Sequence, residues 1–368
     1  MKSVKEYIVP WVYNAEPYSD KHMDFAWDHP EILRLMSNEN LLTPPPSVVA
    51  AVKKAVKVGN LYPGSGKRLR QLLAEREGLE PDNIILGNGS TDIIDFVLRT
   101  FAAPGEDVII PVPTFPMYAA RAQINGSNLI TVPMTPDFYW DINAILKAVT
   151  LKTKLIFICS PNNPTGNMIK DEDLKKILSL GIPTFLDEAY YELEDKPKSC
   201  TYLLKEYKNL IISRTFSKAY GLAGLRIGYA IADKMVISYF NRSRIPWNVS
   251  LITLAAAEAA LQDEADHQRK RKNTINGRQY LIQELVKIPG IKPYASEGNF
   301  VLFDASILGK TSQEIKDDII ARGIFIRPME GHGLRQGFMR VTVGTPEMNQ
   351  KFIAVFKQYV EDIMKTAK

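Results

Sequence analysis

Between about residues 84 and 231, short apolar and β-branched runs alternate with helical patterns: NIILG, DVIIPV, SNLITV, KLIFICS, PTFLDE, NLIIS and LRIGYAIA. Runs of this length bounded by Gly, Pro and polar residues suit buried strands. Their alternation with helices predicts an α/β fold with a mostly parallel seven-stranded sheet between helices. After a long helical stretch from about 249 to 287 the pattern changes to FVLFD, GIFIRPM and FMRVTVG, with helices around 311–322 and 346–364, which reads as a smaller α+β domain. The first forty or so residues are rich in Pro, Tyr and Trp and show no clear period, so they are expected to form an extended arm that joins the small domain or a partner subunit. The boundaries expected from these shifts are an arm over 1–45, a large domain over 46–260 and a small domain over 261–368. At 368 residues the chain is longer than one core usually serves, which agrees with two packed units.

Composition adds exclusions. With 45% apolar and 24% charged residues the chain is ordinary for a globular protein. Its start, MKSVKEYIVPWVYNAEPYSD, lacks the apolar stretch of a signal peptide, and LITLAAAEAAL from Leu251 carries Glu258 and is too short to span a bilayer. A cytoplasmic protein with no membrane partner is expected. Of the two cysteines, Cys159 lies in the apolar run LIFICS and reads as a reduced core residue. The net charge of +5 is spread along the chain. The densest basic cluster, HQRKRKN at 267–273, has no aromatic interleaving and reads as a solvated helix face, with no nucleic acid as partner. No pair among the four histidines has metal-ligand spacing, so no metal is expected. The GSGK of LYPGSGKRLR fails as a P-loop, because Leu61 stands where the first Gly is required and Arg68 replaces the Ser/Thr.

In open α/β sheets ligands bind beyond the carboxyl ends of the strands. Here those ends carry GNGST, PTFPMY, SPNNPTG, DEAYY and RTFSK. Gly89-Ser90-Thr91 opens the helical pattern TDIIDFVLRTFA and reads either as an N-cap or as an anion site of backbone N–H groups and hydroxyls. Lys218 is either a surface charge or an amine whose lowered pKa suits Schiff-base formation with an aldehyde, with Thr215, Ser217 and Arg226 placed to cradle a phosphate. Asp187 ends an apolar run, where a carboxylate needs a cationic partner: an internal Arg or a protonated pyridine nitrogen. Tyr190 could turn its hydroxyl to the same crevice. Asn163 is a turn residue or a ligand, and Phe115 a core residue or a stacking face for a planar ring.

Taken together the chain resembles the fold-type I aminotransferases that use pyridoxal 5′-phosphate (PLP), and within them the histidinol-phosphate aminotransferase branch. The likeness covers nearly all of 35–345: NEN at 38–40, LYPGSG at 61–66, GNGSTD at 87–92, PTFPMY at 113–118, SPNNPTG at 160–166, LDEAYY at 186–191, RTFSKAYGLAGLRIG at 214–228, GIFIRPM at 323–329 and MRVTVG at 339–344. The resemblance implies that Lys218 holds PLP as a Schiff base and later moves a proton. It implies that Asp187 keeps the pyridine nitrogen protonated, that Tyr190 and Asn163 bond the phenolic oxygen, and that Phe115 stacks on the ring. Ser90, Thr91, Thr215, Ser217 and Arg226 would hold the phosphate. Tyr62 would reach the phosphate of the neighbouring subunit, which implies a homodimer with shared sites. Arg340, whose planar bidentate fork suits the role, would bind a substrate α-carboxylate with Asn38 nearby, and Arg327 a distal phosphate or else an ion pair between strands.

The reaction implied is transamination between a small-molecule amino donor and an oxo-acid acceptor, with histidinol phosphate the leading donor. Decarboxylation of a phosphorylated amino acid of the threonine-phosphate kind, elimination and cyclisation are the alternatives within the same cofactor chemistry. A PLP-sensing regulator would need a DNA-binding domain that the short, Pro-rich arm has no room for. Two segments depart from the branch: the arm is longer and more aromatic, and GHGLRQG at 331–337 differs.

Overall fold

The computed structural model describes residues 3–331 and 333–366, so His332 of the GHGLRQG segment lies outside the described residues. Among the described residues twelve strands form two sheets. In chain order they are β1 (Leu33–Leu35), β2 (Ile84–Gly87), β3 (Asp107–Val112), β4 (Asn128–Pro133), β5 (Thr153–Cys159), β6 (Thr184–Asp187), β7 (Leu210–Thr215), β8 (Gly228–Ala232), β9 (Lys292–Pro293), β10 (Phe300–Asp304), β11 (Ile324–Pro328) and β12 (Phe338–Thr342).

The larger sheet has seven strands in the order β2-β8-β7-β6-β5-β3-β4. The pairs β3–β4, β3–β5, β5–β6 and β6–β7 are parallel, and β8 runs antiparallel to both its neighbours. Alternation explains why its central strands read as unbroken apolar runs. Successive side chains of β5 go to opposite faces, so Ile156 and Ile158 join one buried cluster while Leu155, Phe157 and Cys159 join another. Each such buried aliphatic or aromatic side chain contributes about 1.5–3 kcal/mol relative to exposure.

The smaller sheet has five strands in the order β1-β11-β12-β10-β9 and its own buried cluster, which includes Val301, Ile326, Val341 and Phe356. Its first strand comes from the arm: β1 pairs in parallel with β11, Leu33 opposite Ile324. The rest of the arm differs from the expected extended chain. It holds a 3-10 turn at Val4–Tyr7, a helical turn at Pro10–Tyr13 and the helix Lys21–Asp28. These are set by local caps rather than by period. Ser3 and Glu6 form a capping box and Pro10 opens the second turn, and elements this short cannot display a 3.6-residue repeat.

The expected helical stretch over 249–287 divides into the helices Leu251–Gln262 and Glu264–Leu285, with Asp263 ending one and capping the other through a bond from Asp266 N–H. The basic cluster at 267–273 requires a correction, because the long helix Glu264–Leu285 does not present it all to solvent. His267, Lys270, Thr274, Gly277, Arg278, Leu281 and Leu285 recur at three- and four-residue steps along a buried face. This inward face is polar at one end because it meets loop carbonyls: Arg278 donates to the Leu193 and Gly298 oxygens, each at 2.9 Å. No helix among the described residues is long and apolar enough to cross a membrane, and no cluster of three or more His, Cys, Asp or Glu forms a metal-binding group there.

Candidate active site

A cavity of about 580 Å³ opens at the carboxyl edge of the seven-stranded sheet. Ser90, Thr91, Phe115, Asn163, Asp187, Tyr190, Thr215, Ser217, Lys218 and Arg226 line it from the large sheet, and Asn38, Arg327 and Arg340 close it from the other side. Tyr62 is not among its walls: it is 81% exposed and lies tilted against Trp247 with ring centroids 5.0 Å apart. A larger open groove of about 1000 Å³ between the helices Pro46–Val56 and Leu251–Gln262 holds none of these residues.

The topology explains the gathering. β2, β3, β5, β6 and β7 end at the same edge, so the residues just after them converge. Because β8 runs the opposite way, it begins at that edge, and Arg226 just before it arrives beside the rest. The chain leaves the cavity after Lys218 and returns to it at Ala223, Gly224 and Arg226. Arg226 has φ 53, a left-handed value that a non-glycine residue adopts only where its surroundings hold it. Gly89, at φ +76, has a backbone conformation that favours glycine, and a Cβ there would push the Arg226 guanidinium aside. Gly228 lies equally close, since a Cβ there would come 2.7 Å from Ser90 N. Thr215 Oγ1 donates to Ser217 Oγ at 2.9 Å and accepts from Ser217 N–H at 3.1 Å. Hydroxyls, a helix N-terminus at Ser90 and a guanidinium thus share one small concavity suited to a phosphate.

Deeper in, Asp187 is buried and accepts from Tyr118 Oη at 2.7 Å and from Ala189 N–H at 3.0 Å. Burial pushes its carboxyl up to about 6, against the pull of the Tyr118 and Ala189 bonds. It forms no salt bridge among the described residues, so its charge awaits a cation. Phe115 meets Tyr118 edge-on at 5.5 Å. Between the carboxylate and the phosphate-like concavity stands Lys218, whose Nζ donates to the Asn38 carbonyl at 3.0 Å and to that of Ser37 at 3.4 Å. Burial and the nearby Arg340 lower its pKa to about 8. Asn38 also donates from Nδ2 to Tyr190 Oη at 3.1 Å, and burial holds that phenol above its ordinary value.

On the far wall, Arg327 and Arg340 are direct partners across β11 and β12. Arg340 donates to Asn163 Oδ1 and to the Met36 carbonyl, while its Nε is buried without a partner. Burial pushes Arg340 down to about 10, and burial also lowers Arg327. Neither arginine forms a salt bridge among the described residues. Two neighbouring cations facing a cavity without a carboxylate between them make an anion site.

Some of the lining was not foreseen. Tyr118 lies within PTFPMY but nothing in the sequence singles it out, because only the packing of the helix Met117–Ile124 against Phe157 of β5 brings its hydroxyl to Asp187 on β6. The arm contributes Tyr18, His22, Met23, Trp27, Arg34 and Glu39. Arg34 pairs with Glu39 through Nε and Nη2 at 2.8 and 2.7 Å and lies 5.2 Å from the Trp27 ring centroid. His22 is held down to about 4 by burial and by Arg327.

A mostly parallel sheet with a primary amine, a buried carboxylate and a phosphate-sized cradle at its carboxyl edge defines a PLP-dependent aminotransferase. The chain belongs to the family "Aminotransferase class I and II", whose model matches residues 30–356. Histidinol-phosphate aminotransferases from Symbiobacterium thermophilum and Nicotiana plumbaginifolia are 37% and 39% identical to it, each over 89% of this chain and over 90% and 79% of theirs. Among solved structures, histidinol-phosphate aminotransferase from Sinorhizobium meliloti in complex with pyridoxal-5′-phosphate superposes with a TM-score of 0.85 at 26% identity, covering 97% of this chain and 98% of that one.

Proposed function

We propose that this enzyme transfers the amino group of histidinol phosphate to a 2-oxo acid. The observation that carries the reading is the cross-strand pair Arg327 and Arg340, two cations without a salt-bridge partner among the described residues, which face the cavity holding Lys218. A phosphate ester supplies the dianion such a pair calls for, and the similarity to histidinol-phosphate aminotransferases supports that choice of donor. In the other half of the reaction the acceptor's carboxylate would meet Arg340, with Asn38 beside it.

The lining fits PLP. The concavity around Gly89, Ser90, Thr91, Thr215, Ser217 and Arg226 suits its phosphate, Asp187 a protonated ring nitrogen, Phe115 the ring face, and Asn163 and Tyr190 the phenolic oxygen. When bound, PLP supplies an electron sink for the charge left as a bond at the substrate Cα breaks. The chain's residues provide the rest. Lys218 Nζ, lowered to about 8, is partly unprotonated near neutral pH and accepts the proton that leaves the substrate Cα. Asp187, raised to about 6, remains mainly ionised at pH 7 and holds a positive charge opposite itself. Tyr190 stays protonated and keeps its hydroxyl hydrogen in the site. Arg327 and Arg340 fix the far end of the substrate, which orients its Cα bonds toward the amine.

Tyr62, exposed in the single chain, is read as reaching the cradle of a second copy, so a homodimer with shared sites is part of the proposal. The cytoplasm is the compartment that suits it. The division into an arm over 1–45, a large domain over 46–260 and a small domain over 261–368 is likewise proposed.

The test is a single-turnover absorbance scan of the PLP-loaded protein with histidinol phosphate and a panel of amino acids, with mass analysis of products. Loss of the visible cofactor band with histidinol phosphate, and formation of the matching ketone, is expected. Carbon dioxide from another substrate would move the enzyme to decarboxylation. Lys218→Ala is expected to remove the visible band altogether, and an unchanged spectrum would assign the cofactor to another lysine.

A further inference from the structure

The turn that follows Lys218 is gripped from several sides. Asn40 Nδ2 donates to the carbonyls of Lys218 and Ala219 at 3.3 and 3.4 Å. Gly221 N–H returns to the Lys218 carbonyl at 3.2 Å. From below, Lys270 of the long helix donates to the Tyr220 carbonyl at 2.8 Å, with its side chain 0% exposed. Asp266, one turn earlier on the same helix, pairs with Lys270 at 2.7 Å. The Tyr220 ring stacks on buried His267 at 4.8 Å, and its hydroxyl donates to Glu192 at 2.7 Å while accepting from Arg76 at 2.8 Å. Gly221, at φ +69, leaves the space for this grip, since a Cβ there would lie 3.3 Å from Asn40 Cβ and 3.4 Å from Lys270 Nζ.

Burying an ammonium is costly even when it is paired, and an apolar side chain would fill the same volume without that cost. The charge therefore needs an account, and its backbone acceptor lies two residues past the amine of the site. We propose that Lys270, anchored by Asp266, is a positioning residue: by holding the Tyr220 carbonyl it fixes the 218–221 turn, so that the Lys218 amine is held at one place on the cavity wall, beside the Asn38 carbonyl. The proposal rests on reading Lys218 as the cofactor lysine. It makes the long helix, whose far end packs the five-stranded sheet through Leu281 and Leu285, the element that sets the amine's place.

The test uses Lys270→Met combined with Asp266→Asn, which leaves no unpaired charge in the core. In the cofactor-free protein, acylation of Lys218 is followed by peptide mass analysis across pH. The groups facing that amine are Arg340, Glu39, Arg226, Asp187 and Tyr190, and none is altered. If the turn loosens, the amine gains water, its profile moves up toward the ordinary lysine range, and acylation at pH 7 slows about threefold or more, the change expected for half a pH unit. In the loaded enzyme kcat is expected to fall about tenfold while KM stays within about twofold, as for a misplaced group. An unchanged profile and kcat with a lowered melting temperature would overturn the proposal and leave Lys270 as packing alone. Should the double variant not fold, Asp266→Asn by itself is expected to move the profile in the same direction by less, and no movement would overturn the proposal equally. Failure of the cofactor assignment looks different: Lys218→Ala would keep the visible band while the acylation profile still shifted.

Discussion

Arg214 and Arg340 are both buried, at 1% and 6% exposure, yet their surroundings are opposite. Arg214, on β7, is saturated. It donates to Glu188 at 2.9 Å and to Glu77 at 2.7 Å, reaches Ser199 and the Tyr191 hydroxyl, and lies over the Tyr191 ring at 3.9 Å. Its pKa is held well above the ordinary value by the tyrosines and carboxylates around it, against the cost of burial. Arg340, on β12, has a carbonyl, an amide oxygen and the edge of a like charge, and burial pushes it down to about 10. A buried cation with its anions supplied by the fold belongs to the fold. One without them marks where an anion from outside is to bind.

The comparison can be broken first at Arg214. Arg214→Met would strand Glu77 and Glu188 in the core, and removing one partner of a buried ionic group costs about 3–5 kcal/mol, read by denaturant unfolding. A loss below about 1 kcal/mol would mean the network is not integral to stability. Arg340→Gln should do the reverse. Its stability is expected to change by less than about 1 kcal/mol, because an uncompensated buried charge is removed, while kcat/KM falls roughly 100-fold or more, as for a lost buried charged contact to substrate. Equal damage to folding would erase the distinction between the two arginines.

Arg327→Gln sharpens it further. A charge-assisted bond is worth about 1.5–3 kcal/mol, so kcat/KM with phosphorylated substrate should fall about 10- to 100-fold and that with unphosphorylated amino acids by less than about threefold. The smallest effect is expected at Asp187, which resembles Arg340 in lacking an ionic partner. Tyr118→Phe removes a bond that lowers its pKa, so the carboxyl rises from about 6 and is ionised over a narrower range. In the cofactor-free protein the titration of the Asp187 carboxyl, followed by carboxyl NMR, should move up by about 0.5–1 in pH; an unmoved midpoint would mean that the Tyr118 bond does not tune it.

Much of the large sheet was legible because β5, β6 and β7 are buried on both faces and so read as unbroken apolar runs ending in polar residues. The candidate groups at those ends were legible for the same reason, as polar residues placed where a strand must stop. Lys270 was not, since a basic cluster looks solvated until a helix face is known to meet backbone carbonyls rather than side chains. Tyr118 escaped because an aromatic in an apolar setting carries no sign of where its hydroxyl goes. The helices of the arm were hidden by their shortness, and the lining by His22, Arg34 and Trp27 depends on contacts between segments far apart in space until the chain folds.

The reversed direction of β8 has a consequence for how this scaffold can vary over generations. Because one excursion of chain leaves the sheet after Thr215 and re-enters it at Gly228, the amine and the guanidinium are delivered by a single cassette whose two ends are clamped in register, Thr215 opposite Gly228. Point changes within it alter one group at a time, but an inserted or deleted residue shifts Lys218 against Arg226 and spoils both at once. A library of single-residue insertions should therefore show this cassette as length-locked, in contrast to the tips of loops on the opposite edge.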